Sequence, residues 1–343
     1  MKRGFFRISL LLMLIVMLAA CSEKDEQLKD VTNTVAQKGE EAVDVNVGLI
    51  MGPPSMGLGY FMSEAEKGNT QNNYSFDLAG VDYTKVVASL NQGDYDIATL
   101  PSNVAAIAYN NEHMKEDVKV ISIGNLGLLY VLTTDPTIST FEDLKGRTVY
   151  SIGEGGPPEY TFNYVLEQAG MEDDVNFSFR ATPFEVLNLL QEEENAVALL
   201  PQPYVEVAKL LVPDLRVAID ITETWDSLNV DSEAQSVTTV TVARKDFLAQ
   251  HEQAVLEYLD MAKKSTDYVL ANLDEAAAWT EKYETFLNPE IAKEAIPKSS
   301  IHTITGEEMK SIFSGFLQII YDFDPEAVGG KMPEDDFYYI PEQ

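Results

Sequence analysis

Tyrosine and glutamate side chains cluster around a glycine- and proline-rich junction in this chain. The stretch GEGGPPEYTFNY (153–164) follows a strand-like run, TVYSI, and leads into a helix-like segment without any Lys, Ser or His. Proline suits a first helical turn, where its missing N–H is not needed, and glycine allows close approach of a ligand to the backbone. The pattern predicts a helix N-terminus facing a ligand, held by aromatic stacking and carboxylate hydrogen bonds. A tight turn without a ligand is the alternative.

The same arrangement occurs a second time in the chain. Gly52-Pro53-Pro54 follows a strand-like run, as Gly156-Pro157-Pro158 does, and a phosphate loop is excluded because prolines replace the required Lys and Ser/Thr. LNQGDYDIATLPSNVAAIA (90–108) also aligns with LQEEENAVALLPQPYVEVA (190–208) at an offset of 100 residues, with Leu-Pro in both. Two landmarks in the same order predict two lobes of similar topology. Chance recurrence of Leu-Pro at strand-to-helix turns is the alternative.

Strand-like and helix-like segments alternate in both copies, which indicates an α/β fold with a mostly parallel sheet in each lobe. Ligands of such sheets bind beyond the carboxyl ends of the strands. The runs 126–134 and 236–242 are rich in β-branched residues, which predicts strands. The predicted ligand-binding residues are Gly52, Pro53, Ser55, Tyr60, Pro101, Ser102, Asn103, Glu154, Gly155, Gly156, Glu159, Tyr160, Gln202 and Tyr204.

The N-terminus has the features of an export signal. Residues 1–20 contain basic residues followed by an apolar run shorter than a bilayer span, and Leu-Ala-Ala-Cys resembles a bacterial lipobox. We therefore predict lipidation of Cys21, the only cysteine, and a flexible polar tether over 21–42. An ordinary hydrophobic N-terminus that happens to end in Cys is the alternative.

Charge and residue distribution exclude several functions. A net charge of -32 disfavours nucleic acid and anionic lipid headgroups as partners. His113, His251 and His302 lie in separate segments, and no other cysteine is available for a metal site. We expect neither a cofactor nor catalysis.

Several segments together resemble the solute-binding lipoproteins of bacterial ABC importers, in the branch of nitrate-, sulfonate-, taurine- and thiamine-pyrimidine-binding proteins. They are the lipobox, the paired strand-Leu-Pro-helix segments, FEDLKGRTVYSIGEGGPPEYTFNYVLEQAG, AVALLPQPYVEVAK and VGGKMPEDDFYYIP. The resemblance implies a type II periplasmic-binding-protein fold, with 43–134 plus 237–343 as the first lobe and 135–236 as the second. It implies that the runs 126–134 and 236–242 cross between the lobes, and that one lobe rotates on the other to close on a solute. It also implies a monomer, lipid-anchored outside the cell membrane, that delivers a small solute to a permease and its ATPase.

The four junctions, at 51–62, 98–105, 153–164 and 199–207, contain no Lys, Arg or His. This favours a neutral or cationic nitrogen heterocycle of the thiamine-pyrimidine kind. A sulfonate, nitrate or taurine held by helix N-terminal amides such as those of Gly155 and Gly156 is the alternative. We expect Phe61, Phe162 and Tyr164 in the core, and Trp225 capping either the cleft or a surface helix. A surface sensor or adhesin, and an enzyme on the same fold, are the alternatives from other classes.

Overall fold

A computed structural model describes residues 41–114, 118–228, 234–286 and 288–341 of the chain. The predicted signal peptide, Cys21 and nearly all of the predicted tether lie outside the described residues. The residues from Val43 onward belong to one compact unit.

The first part of this unit alternates strands and helices, as the sequence predicts. Its elements are β1 (Asp44–Leu49), α1 (Pro53–Met56), α2 (Gly59–Glu66), β2 (Asn73–Leu78), α3 (Tyr83–Gln92), β3 (Ile97–Pro101), α4 (Ser102–Asn110) and β4 (Val118–Leu126).

The second part repeats the alternation. Its elements are β5 (Leu129–Thr133), β6 (Thr148–Ser151), α5 (Pro157–Gln168), β7 (Asn176–Phe179), α6 (Pro183–Glu192), β8 (Val197–Pro201), α7 (Tyr204–Leu211), β9 (Arg216–Asp220) and α8 (Ile221–Leu228).

The C-terminal part adds two strands and a group of helices. Its elements are β10 (Val237–Arg244), α9 (Lys245–Gln250), α10 (Glu252–Ala271), α11 (Leu273–Lys282), α12 (Pro289–Ala295), a 3₁₀ turn (Ile296–Lys298), β11 (Ile301–Ile304) and α13 (Gly306–Phe323), followed by the 3₁₀ turns Pro325–Val328 and Asp335–Phe337.

The strands form two sheets with matching topology. The first has the order β11-β4-β10-β3-β1-β2 and the second the order β7-β6-β8-β5-β9. In both, the early strands pair in parallel, and one strand, β10 or β5, runs antiparallel beside the strand that ends in Leu-Pro. The sequence repeat therefore corresponds to a structural repeat. We call each sheet with its flanking helices a lobe.

The crossing between the lobes differs in detail from the sequence prediction. The run 126–134 does not form one strand: β4 ends at Leu126 in the first sheet, and β5 begins at Leu129 in the second. Gly127 marks the break, where a Cβ would lie 2.5 Å from the Thr222 hydroxyl. The sequence assigns the 129–133 segment to the first lobe. In the structure this segment is β5, which pairs with β8 and β9 of the second sheet. The predicted run 236–242 belongs to β10.

Apolar side chains connect the two lobes on one side. Trp225 of α8 is fully buried and packs against Tyr164 of α5, with ring centroids 4.5 Å apart. It also contacts Phe316 of α13, with ring centroids 5.8 Å apart. Its indole N–H donates to the carbonyl of Ala234 at 3.1 Å. Both predicted positions of Trp225, cleft cap and surface cap, are therefore wrong.

Candidate functional site

The two Gly-Pro-Pro junctions lie at the amino ends of α1 and α5, beyond the carboxyl ends of β1 and β6. Gly52 has φ 112° and Gly155 has φ 71°, conformations that L-residues rarely adopt. A Cβ at either position would meet no neighbouring heavy atom within 4 Å. Open space thus lies beside the backbone at both junctions.

The backbone N–H groups of the glycines next to the two Pro-Pro pairs already have partners within the protein. At α5, Gly155 N–H donates to Glu159 Oε2 at 2.7 Å, and Gly156 N–H donates to the Gly153 carbonyl at 3.0 Å. At α1, Gly52 N–H donates to the Thr285 carbonyl at 3.1 Å. The prolines that follow have no N–H. The anion site considered for the amides of Gly155 and Gly156 is therefore already occupied by a carboxylate and a carbonyl.

Asn103 links the second junction of the first lobe to the glycine-rich junction of the second lobe. Its side-chain amide donates to the Gly155 carbonyl at 3.1 Å and to the Ala327 carbonyl at 3.4 Å. Since carbonyls only accept, these partners fix which end of the amide is the nitrogen. Asn103 is 1% exposed, and its Oδ1 has no hydrogen-bond partner. A buried acceptor is thus left unsatisfied at the junction.

Gln202 follows β8 and repeats this feature in the second lobe. It is 2% exposed, and its Nε2 donates to Glu206 Oε1 at 3.1 Å. The carboxylate fixes the orientation of the amide, and Gln202 Oε1 is left buried without a partner. A buried amide oxygen without a donor costs about 1–3 kcal/mol, so a ligand donor there is favoured.

Glu206 is held by two lysines that the junction sequences do not contain. Lys209 of the same helix and Lys298, in the turn before β11, each place Nζ 3.1 Å from Glu206 Oε1. Burial favours a higher pKa for Glu206, but hydrogen bonds from Gln202, Lys298 and Lys209 hold the pKa below its usual range. The base-free composition of the four segments therefore does not describe the folded site, because Lys298 comes from a distant part of the chain.

Several other predicted residues have structural partners instead of free polar groups. The Ser55 hydroxyl donates to the Gly52 carbonyl at 3.0 Å, and the Ser102 hydroxyl donates to the Val237 carbonyl at 2.6 Å. Pro53 is buried, and half-buried Pro101 ends β3. Glu154 is exposed at the turn before α5. Their roles toward a ligand stay predictions.

The three tyrosines differ in their surroundings. Tyr60 stacks on Tyr268 of α10, with ring centroids 4.5 Å apart. Tyr204 is half-buried and packs edge-on against Phe184, with centroids 6.3 Å apart. Tyr160 is half-buried, and desolvation together with the nearby Asp324 and Glu159 raises its pKa to about 12. Tyr60 and Tyr204 thus contact neighbouring rings, and Tyr160 packs against the hydrophobic core.

The core prediction is confirmed for Phe61 and Phe162, whereas Tyr164 is half-buried at the edge of the core. Phe61 and Phe162 are fully buried, and Tyr164 packs on Trp225.

In the described ranges, no group of three or more His, Cys, Asp or Glu side chains is placed to hold a metal ion. No helix in the part of the chain that the structure describes is long and apolar enough to span a membrane.

Solved structures share this architecture across most of the chain. A protein from Parabacteroides distasonis described as an ABC transporter superposes with a TM-score of 0.70 at 21% identity, covering 89% of this chain and 100% of its own. The periplasmic aliphatic sulphonate-binding protein of Escherichia coli superposes with 0.69 at 16% identity, covering 88% and 93%. The alkanesulfonate-binding protein of Xanthomonas axonopodis pv. citri, bound to MOPS, gives 0.61 at 11% identity, covering 87% and 97%.

These similarities define a class and a family. The fold is the two-lobed, type II periplasmic-binding-protein fold, as the sequence predicts. The profile of the NMT1/THI5-like family matches residues 78–276, more than half of the chain. The chain belongs to this family. No curated protein matches the sequence.

Proposed function

We propose that this chain is the substrate-binding component of an ABC importer, which holds one small organic solute between its lobes and delivers it to a permease. The family, the fold and the four junctions at strand carboxyl ends support this proposal. The solved neighbours include proteins described as ABC-transporter and sulphonate-binding proteins. The permease works with an ATPase, and we expect the binding protein to act as a monomer without a cofactor.

The solute that best fits the site is a neutral or cationic nitrogen heterocycle bearing N–H donors, of the thiamine-pyrimidine kind. The observation that carries this choice is that two of the buried, unpartnered polar atoms, Asn103 Oδ1 and Gln202 Oε1, lie at the Leu-Pro junctions. An amino group or a protonated ring nitrogen satisfies such oxygens, whereas an anion placed against them is repelled. Half-buried Tyr160 and Tyr204 supply aromatic faces at the same junctions.

A sulfonate, nitrate or taurine is the alternative, and the similarity to the sulphonate-binding proteins of Escherichia coli and Xanthomonas favours it. Helix N-termini bind anions through unused N–H groups. At the Gly-Pro-Pro junctions the N–H groups of Gly52, Gly155 and Gly156 are already paired, and the prolines have none. This arrangement supports the heterocycle over the anion.

Native mass spectrometry of the purified protein tests the proposed function. We expect one co-purified small molecule per chain, with the mass of a basic heterocycle, that is reduced in Gln202→Leu. The matched control is Gln191→Leu, which removes an exposed glutamine amide on α6. A bound sulfonate, unaffected by Gln202→Leu, would overturn the assignment of the solute.

We further propose that the protein binds rather than catalyses and acts at the outer face of the cell membrane. His113 lies in the loop before β4, His251 between α9 and α10, and His302 in β11, and burial lowers the pKa of His302 below its ordinary value. Lipidation of Cys21 would anchor the chain. Cys21→Ser should release the protein from the membrane fraction; continued membrane binding and normal cleavage would contradict the anchor.

A surface sensor that delivers its solute to no permease is the alternative to an importer component. It would be indicated by the absence of permease and ATPase genes beside the gene for this chain.

A further inference from the structure

Glu206 occupies a position where three elements meet. It lies on α7 of the second lobe, 8% exposed, with Gln202 one turn earlier on the chain. Its Oε1 accepts hydrogen bonds from Gln202 Nε2, Lys209 Nζ and Lys298 Nζ, all at 3.1 Å. Of these donors, Gln202 and Lys209 belong to the second lobe, whereas Lys298 precedes β11 of the first sheet.

The segment that carries Lys298 contacts the second lobe at other points as well. The Tyr130 hydroxyl of β5 donates to the Lys298 carbonyl at 3.1 Å. Helix α12, which leads into the turn containing Lys298, packs against α7. Lys298 is thus placed on Glu206 by the surrounding backbone as well as by its own charge.

Two features separate this contact from an ordinary surface ion pair. The Glu206 carboxylate is largely buried, so its charge is stabilised mainly by these three donors and poorly by water. It also sets the orientation of Gln202, whose buried Oε1 has no partner. A side chain that can donate at position 206, or a missing side chain, would allow the Gln202 amide to rotate and present its nitrogen instead.

We propose that Glu206 is a positioning residue: Lys298 of the first lobe engages it when the lobes meet, and it holds Gln202 with the amide oxygen as acceptor. The contact therefore links closure of the lobes to whether Gln202 presents an acceptor or a donor to a solute. Its consequence for solute selection rests on the proposed function, but the contact and the amide orientation can be measured without any solute.

The first experiment measures lobe separation in the solute-free full chain carrying Cys21→Ser. Dyes are placed at Lys85→Cys and Asp173→Cys, exposed positions near the edge strands β2 and β7 of the two sheets. Lys298→Met should shift the energy transfer to longer distances, and Lys298→Arg should restore it. Lys209→Met is the matched control, because it removes an equal charge at an equal distance from the same oxygen within one lobe. Equal effects of the two Met variants, or no effect of Lys298→Met, would overturn the contact as a link between lobes.

The second experiment follows the Gln202 side-chain amide by nuclear magnetic resonance, with the signal assigned by its loss in Gln202→Leu. In the unmodified protein, we expect the Glu206 carboxylate to shift one Gln202 side-chain amide proton downfield and to protect it from exchange with solvent. Glu206→Ala should abolish both properties, and Lys298→Met should weaken the protection. An amide signal insensitive to both variants would overturn the positioning role, whatever solute the protein binds.

Discussion

The side-chain amide of Asn103 in the first lobe donates to the backbone carbonyl of Gly155 in the second, over 3.1 Å. Asn103 lies in the first turn of α4, after one repeat's Leu-Pro, and Gly155 belongs to the other repeat's glycine-rich turn. The internal repeat of the sequence thus brings two equivalent edges of two sheets into contact. The same asparagine retains a buried, unpartnered oxygen, so it joins the lobes and leaves an acceptor for a solute.

Replacing Asn103 with Leu should weaken solute binding by about tenfold, because a net hydrogen bond contributes about 1 kcal/mol and a solute acceptor is also removed. Calorimetric titration with the co-purified solute measures this change. Asn110→Leu is the control, since Asn110 also donates to two carbonyls, those of Val328 and Lys331, both at 2.7 Å. Equal loss of affinity in both variants would indicate a general effect on folding.

Removing the prolines and the competing carboxylate at α5 should create an anion site. The triple variant Pro157→Ala, Pro158→Ala, Glu159→Gln gives the helix two additional N–H groups and weakens the hold on that of Gly155. We expect this variant, unlike the unmodified protein, to bind ethanesulfonate at millimolar concentration in a chemical-shift titration. Pro183→Ala, at the start of α6, is the control. Tight ethanesulfonate binding by the unmodified protein would contradict the role of the prolines.

Gly155→Ala should reduce both stability and binding, whereas Gly68→Ala should reduce stability alone. Both glycines have φ 71°, and a Cβ at either position would meet no heavy atom within 4 Å. The left-handed backbone conformation should therefore lower the free energy of unfolding by a similar amount in both variants, about 1 kcal/mol. Only Gly155 lies at the junction that Asn103 contacts. Denaturant unfolding and calorimetric titration of the two variants measure the two effects. Unchanged affinity in Gly155→Ala would place the solute away from this turn.

Acid should weaken the stabilising contribution of Glu206. Its pKa is lower in the folded protein than in the unfolded chain, because Gln202, Lys298 and Lys209 donate to it. The contribution is therefore present above the unfolded pKa and is lost as the pH falls through the folded pKa. The difference in free energy of unfolding between the unmodified protein and Glu206→Gln should shrink as the pH falls below about 4.3, the ordinary value for Glu. A difference that grows in acid would show that the pKa is raised.

Local sequence patterns are sufficient to predict the repeat, the alternating elements and the helix starts at the Gly-Pro-Pro junctions. Strand β3 and strand β8 are 100 residues apart, as the Leu-Pro alignment predicts. Turn chemistry is local: the prolines at the amino ends of α1 and α5 specify helix starts wherever the rest of the chain lies.

Tertiary pairing accounts for what the sequence could not predict. Lys298 pairs with Glu206 across 92 positions of chain, so the composition of one junction carries no sign of it. Trp225 is buried because Phe316 from the C-terminal helix packs against it. The contact of Glu159 with Gly155 is different, because the two residues are only four positions apart. That spacing of about one helical turn is visible in the sequence.

The most direct test of the account is calorimetric titration of the unmodified protein, freed of endogenous solute, with 4-aminopyrimidine and with ethanesulfonate under identical conditions. We predict that the aminopyrimidine binds, that Gln202→Leu weakens it by at least about tenfold through loss of an acceptor, and that ethanesulfonate gives no heat of binding. Micromolar binding of ethanesulfonate with a silent aminopyrimidine would contradict the claim that buried acceptors select the solute.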